Sequence, residues 1–191
     1  MNSPHKGGLH MQLRDFQFSP IETDRLLIRS VAEKPFDLDD ETKKIDAFFN
    51  TIPEDKAKEA IADKEAVFEL LRWLKAFQQA DIHHYLATLK GGEPVLHIGI
   101  SLVPDSYPGI SISVLQPYRH KGYGKEALAA VLNQYFEVGV EAFIYCIRPD
   151  NTASEKLVLA LGGEIIEPKS AIAALLQKEY VIRRQNWKGA S

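Results

Sequence analysis

The sequence predicts an α/β (α+β) protein built on a single mixed, mostly antiparallel sheet of about seven strands flanked by helices. Three observations carry this reading. Between His83 and Leu115, three strand-like runs follow one another across short Gly/Pro turns, the mark of an antiparallel meander. Beyond Leu115, helix-periodic stretches separate the remaining runs, and strands joined through a helix become parallel crossovers. The chain has 191 residues, 45% of them hydrophobic, enough for one domain with a sizeable core.

Residues 1–19 open with "MNSPHKGGLH", which holds no hydrophobic signal-peptide core and reads as a flexible leader, with Met11 an alternative start. Residues 20–188 read as a single domain. "DRLLIRSV", Asp24 to Val31, is strand-like, and the polar stretch after it is broken by Pro35. From Asp39 to Ala80 the pattern turns helical. Ile45, Phe48 and Phe49 share a face; beyond Pro53, Ala66, Val67, Leu70, Leu71, Leu74 and Phe77 repeat at helical spacing, with Trp73 on the flank. "HHYLATLK", "VLHIGISLV" and "ISISVL" are the meander strands, with "GGEP" and "PDSYPG" as their turns. "QPYRHKGYGKEAL", Gln116 to Leu128, opens a helix that runs to about Val138 and buries Leu128, Val131, Leu132, Tyr135 and Phe136. "EAFIYCI" is a buried strand. "DNTASEKLVLALGG" is a short helix with a capping residue at its start and glycine at its end. "EIIE" and "EYVIRRQ" are the last strands, with "KSAIAALLQ" helical between them.

Composition narrows the function. Charged residues are 26% and the net charge is −3, which argues against non-specific binding to nucleic acid or an anionic membrane surface. No apolar stretch reaches the roughly 20 residues a membrane helix needs. The one cysteine, Cys146, excludes an intrachain disulfide and a cysteine-based zinc site. That fits a cytoplasmic protein. Cys146 itself reads as a small buried core residue. His83 and His84 have no metal-ligand spacing with other residues, so they read as strand-end residues and no metal site is expected.

The turn in "QPYRHKGYGKEAL" carries chemistry. A glycine-rich turn leading into a helix presents backbone N–H groups to an anion. Gly122 and Gly124 let a ligand approach the backbone, and Arg119, His120, Lys121 and Lys125 surround it with cations. On this reading a Gly124→Glu change blocks the anion with the fold intact. A P-loop fails here: Gly124-Lys125 is followed by Glu126, and Arg119 stands where the first glycine belongs. A dinucleotide fingerprint fails by context, because the preceding strand ends an antiparallel meander.

What remains is R-x-x-G-x-G, "RHKGYG", Arg119 to Gly124. It resembles the acetyl-CoA pyrophosphate loop of the GNAT superfamily of N-acetyltransferases, in the branch of ribosomal-protein-alanine acetyltransferases (RimJ/RimL-type). Three further stretches share the resemblance. "IETDRLLIRSV" matches the branch's opening T-x-R-L-x-L-R strand at Thr23, Arg25, Leu26, Leu27 and Arg29; "RPDNTASEKLVLALGG" matches its N-x-x-S helix; "EYVIRRQNW" matches its closing strand. The similarity runs from about Ile21 to Trp187.

The resemblance implies a GNAT fold, splayed at the cofactor site. It implies acetyl-CoA as co-substrate and transfer of its acetyl group to a primary amine, on a protein N-terminus or a small molecule, by direct attack in a ternary complex. The alternative is a catalytically inactive acyl-CoA-binding or sensing protein. The pantetheine arm would lie along Ser113, Val114, Leu115 and Gln116, beside Phe143 to Ile147. The pyrophosphate would sit near Arg119 on the N–H groups of His120, Lys121, Gly122, Tyr123, Gly124 and Lys125. Asn151 matches the asparagine that binds the cofactor arm, and is equally a helix N-cap. Ser154 matches a serine near the thioester sulfur, a donor to the departing thiolate. Where many relatives carry a tyrosine, this chain has Val158, which cannot donate. The backbone of Val114 or Leu115 is the expected oxyanion donor. No carboxylate stands in "PGISISV", where many relatives place a glutamate. His97 is the candidate base, with Glu22, Asp105 and Tyr107 as others. Leu161-Gly162-Gly163 lacks the usual aromatic after the first glycine. The helical stretch 39–80 is expected to shape the acceptor pocket, and a homodimer is one assembly open to the chain.

Overall fold

The computed structural model describes residues 13, 19–31, 81–103, 106–167 and 177–189. The leader apart from Leu13 and Ser19, the expected helices over 39–80, Asp105, and nearly all of the run Lys169 to Gln177 lie outside them.

Eight strands form one sheet. They are β1 (Ile21–Glu22), β2 (Leu26–Val31), β3 (Asp81–Leu89), β4 (Pro94–Leu102), β5 (Gly109–Val114), β6 (Ala142–Ile147), β7 (Glu164–Ile166) and β8 (Lys178–Arg183). Their spatial order is β1-β2-β3-β4-β5-β6-β8-β7, and among the described residues only β5 and β6 pair in parallel. The strand beyond the expected seven is β1, two residues that turn back onto β2. Two α-helices are described, α1 (Tyr123–Glu137) and α2 (Thr152–Ala160).

The meander follows from its turns. Gly92 takes φ 92° between β3 and β4, a conformation glycine adopts without steric cost. Pro94 has no N–H for the ladder, and the β3–β4 register shifts opposite it, between Ala87 and Thr88. Alternation then sorts the side chains. Tyr85, Ala87, Leu96, Ile98, Ile100 and Leu102 are buried, and so are the expected α1 residues Leu128, Val131, Leu132, Tyr135 and Phe136. Phe143 of β6 meets Tyr135 and Phe136 edge-on, with ring centroids 5.7 and 5.3 Å apart. These contacts place α1 on the face carrying Tyr85, Ile98 and Phe143.

Two readings of single residues change. His83 and His84 are not strand-end residues, because β3 begins at Asp81. His83 Nδ1 lies 2.7 Å from the Tyr135 hydroxyl, which also meets the Tyr85 hydroxyl at 2.9 Å, so two buried tyrosines and a half-buried histidine form a polar trio between β3 and α1. Burial pushes the Tyr85 hydroxyl up to about 12 and raises Tyr135 further. Cys146 is half-buried rather than buried. Burial, then Glu179 across the ladder, pushes its thiol up to about 12, so it stays a thiol at neutral pH.

Candidate functional site

The site begins where the sheet comes apart. β5 and β6 pair only at Gly109↔Ile144 and Ile110↔Tyr145. Beyond those two residues the strands diverge. Backbone groups of successive strand residues point to alternate sides. The Leu115 N–H donates to Val95 O at 2.9 Å, on the β4 side, so by alternation the polar groups of Ile112 and Val114 face the gap. The Leu115 carbonyl accepts from Tyr118 N–H at 2.9 Å. Both backbone groups of Leu115 are thus engaged, which removes it as an oxyanion donor and leaves Val114. Arg119 Nε donates to Val114 O at 3.0 Å and caps one group of the open flank.

Between β5 and α1 the chain makes a single turn of 3-10 helix, Gln116–Tyr118, with Pro117 in its first turn. Two left-handed residues follow, His120 at φ 61° and Gly122 at φ 81°. Gly122 is the N-cap of α1. Among the described residues no group accepts the N–H groups of His120 to Lys125, the pattern expected of an anion-binding turn. The candidate phosphate residues therefore lie together.

Gly124 has another role. An ideal Cβ there would stand 3.5 Å from Val114 Cγ2, 3.6 Å from Ile112 Cδ1 and 3.8 Å from Leu157 Cδ2. Its open side faces the partly buried apolar side chains of Val114, Ile112 and Leu157 at ordinary contact distance.

His97 sits on the other face of the sheet from α1, directly across from Ser113 of β5. Its Nε2 lies 2.8 Å from His84 Nδ1, and the rings are 5.0 Å apart. Burial first, and then the charge of His84, push His97 below its ordinary value. It is therefore neutral at neutral pH and holds a lone pair. Glu22 stands on edge strand β1, four strands from β5, and pairs with Lys90 at 3.0 Å. Tyr107 lies just before β5.

Asn151 is the N-cap of α2, where its Oδ1 accepts the Ser154 N–H at 3.1 Å. Burial raises the Tyr145 hydroxyl, and the neighbouring Ser154 side chain partly offsets the rise. Tyr145 shares the face of Phe143, so Ser154 and His97 approach the sheet from opposite faces, with the β5–β6 gap between them. Val158 is fully buried and aimed at the core.

One constellation carries more than the sequence motif shows. Thr23, Arg25 and Glu126 lock the β1–β2 hairpin to the first turn of α1. Glu126 Oε1 accepts from Thr23 Oγ1 at 2.6 Å and from the Arg25 N–H at 3.1 Å, while Oε2 accepts from Arg25 Nε at 2.6 Å. Burial alone would raise Glu126; the bonds from Thr23 and Arg25 outweigh it and hold the carboxyl below its usual range. Thr23 and Arg25 belong to a recognisable motif, but nothing in sequence links them to Glu126.

The acetyltransferase (GNAT) domain model matches residues 25–164. The chain belongs to the GNAT acetyltransferase family. Solved GNAT-type structures share its fold. An acetyltransferase from Agrobacterium tumefaciens str. C58 is 19% identical with a TM-score of 0.54, covering 88% of this chain and 96% of its own. The ribosomal-protein-S5-alanine acetyltransferase from Vibrio fischeri is 14% identical with a TM-score of 0.53, covering 90% of this chain and 100% of its own. The GNAT domain of S. lividans PAT is 12% identical with a TM-score of 0.53, covering 86% of this chain and 96% of its own. No curated protein sequence matches. Family membership supports acyl-CoA-dependent acetyl transfer as the general chemistry. No helix among the described residues is long and apolar enough to cross a membrane.

Proposed function

We propose that the protein is an acetyl-CoA-dependent N-acetyltransferase acting on a primary amine in a ternary complex. One observation carries the reading: the open flank of β5 leads straight into a turn of unaccepted N–H groups. An extended arm can pair along such a flank as an added strand, and a pyrophosphate suits the turn. Ser113, Val114 and Gln116 would follow the arm. Arg119 and His120 to Lys125 would surround the pyrophosphate, and Asn151 would stand at the far side of the gap.

Acetyl-CoA supplies an activated acyl thioester. His97 accepts the proton lost by the attacking amine, and His84 can share it across their hydrogen bond. The Val114 N–H donates to the oxygen that gains charge as the C–N bond forms. The C–S bond then breaks, and the Ser154 hydroxyl hydrogen-bonds the departing thiolate, with Tyr145 behind it. Much of the acceleration comes from holding the two reactants together.

The acceptor is a protein N-terminus or a small amine. The activity of the Vibrio fischeri neighbour favours the first of these. The proposed setting is the cytoplasm, with soluble partners and neither nucleic acid nor membrane. A second reading, a catalytically inactive acyl-CoA-binding protein, draws on Val158, whose buried side chain offers no hydroxyl.

Calorimetric titration with acetyl-CoA, followed by a thiol-release screen over amines and short peptides, tests both. Binding with thiol release on one acceptor class is the expected result. Binding without release on any acceptor favours the inactive reading, and absence of binding overturns both.

A further inference from the structure

We propose that Arg25 is a positioning residue for the anion turn: it holds the Lys121–Gly122 peptide so that its N–H stays turned toward the cofactor pyrophosphate. This rests on the acetyl-CoA reading above and deepens it.

A trans peptide points its C=O and N–H in opposite directions. Arg25 Nη1 donates to Lys121 O at 2.9 Å, so the Gly122 N–H faces away from Arg25, and no described group accepts it. This peptide has reason to turn over. It joins Lys121 to Gly122, which stands at φ 81°, and glycine accepts either hand of backbone with little cost. A flipped peptide would present a carbonyl oxygen to the anion in place of a donor. The helix does not prevent this. The first backbone bond of α1 runs from Glu126 N–H to Gly122 O at 3.1 Å, one residue further on. Lys121 O is left out of the helical ladder, and Arg25 takes it.

Arg25 is itself held from several sides. Its Nε reaches Glu126 Oε2 at 2.6 Å and its Nη2 reaches the same oxygen at 2.5 Å. Its guanidinium carbon lies 4.3 Å from the Tyr123 ring centroid. An ideal Cβ on Gly122 would stand 3.4 Å from Nη2, so the guanidinium packs against the turn it holds. A planar fork can bond the carboxylate and the carbonyl at once, and a lysine ammonium on a flexible stem cannot. With Glu126 neutralising it, Arg25 orients the backbone rather than supplying a bare cation.

The test compares wild type, Arg25→Ala and Arg25→Lys on two ligands. Calorimetry measures acetyl-CoA directly, and displacement measures acetyl-pantetheine, which has no pyrophosphate. Arg25 is partly exposed, and circular dichroism checks each fold. Arg25→Ala is expected to weaken acetyl-CoA about tenfold while acetyl-pantetheine stays within about twofold, the loss of one charge-assisted hydrogen bond. Arg25→Lys should show the same selective loss, because the charge remains and the fork does not. Unchanged acetyl-CoA binding in Arg25→Ala, equal loss on both ligands, or full rescue by lysine each overturns the proposal. If the alanine variant does not fold, the lysine variant decides alone. Failure of the wild type to bind acetyl-CoA would instead overturn the cofactor reading, before any variant is compared.

Discussion

Gly122 and Gly124 look alike in sequence and act differently. Gly122 holds φ 81°, where an L side chain is strained, while Gly124 is helical and meets only ordinary contacts. Gly122→Ala is expected to cost about 1 kcal/mol and to weaken acetyl-CoA binding. Gly124→Ala should leave both nearly unchanged, as read by denaturant melts and calorimetry. The turn is legible in sequence because glycines and cations cluster there. The direction of the Gly124 hydrogen is not, because it depends on where Val114, Ile112 and Leu157 come to lie. His97 shows the same limit. Strand alternation gives its face, but its partner His84 is 13 residues away and diagonal in the ladder. Burial and His84 lower the His97 pKa, so protonation is harder in the folded state than in the unfolded one. Its share of stability is complete above the free-imidazole value of 6.5 and is lost as pH falls through that and then the lower folded value. If His97 is the base, the acid limb of kcat/KM lies below 6.5 and disappears in His97→Gln, which a pH–rate profile shows.

At the scale of elements, α2 explains two departures from the family pattern together. Val158 replaces a usual tyrosine and Gly163 a usual aromatic. An ideal Cβ on Gly163 would lie 2.5 Å from Val158 Cγ2 and 2.9 Å from Val158 O. The two positions touch, so the branched side chain and the bare glycine belong to one packing solution. Gly163→Ala is expected to destabilise by about 1–3 kcal/mol, as overpacking does. Combined with Val158→Ala it should cost less than the two changes summed, by about 1 kcal/mol in a double-mutant cycle. Sequence shows each departure separately; only the return of the chain at the end of α2, where Gly163 N–H donates to Val158 O at 2.9 Å, shows their coupling. α2 is also tied down at its first turn. Glu155 accepts from Tyr180 hydroxyl at 2.5 Å and Lys178 Nζ at 2.9 Å, which fixes the helix that carries Ser154 to β8.

At the scale of the whole molecule, the sheet is two antiparallel blocks, β1 to β5 and β6-β8-β7, joined by two paired residues and the α1 crossover. The order of the strands is readable from turns and helix spacing. The separation of β5 from β6 is not, because both runs read as ordinary strands and pairing depends on neighbours far along the chain. That separation leaves Ile112 and Val114 with polar backbone groups facing the gap rather than a paired strand. It is an edge placed in the middle of a sheet. Edges recruit strands from other chains, and proteins usually blunt them with charge or prolines. Here Arg119 blocks one carbonyl and nothing described covers the rest. Light scattering from concentrated, ligand-free protein should therefore grow faster than from protein held with acetyl-CoA. Storage, crystallisation and overexpression would then all depend on whether that slot is filled, quite apart from catalysis.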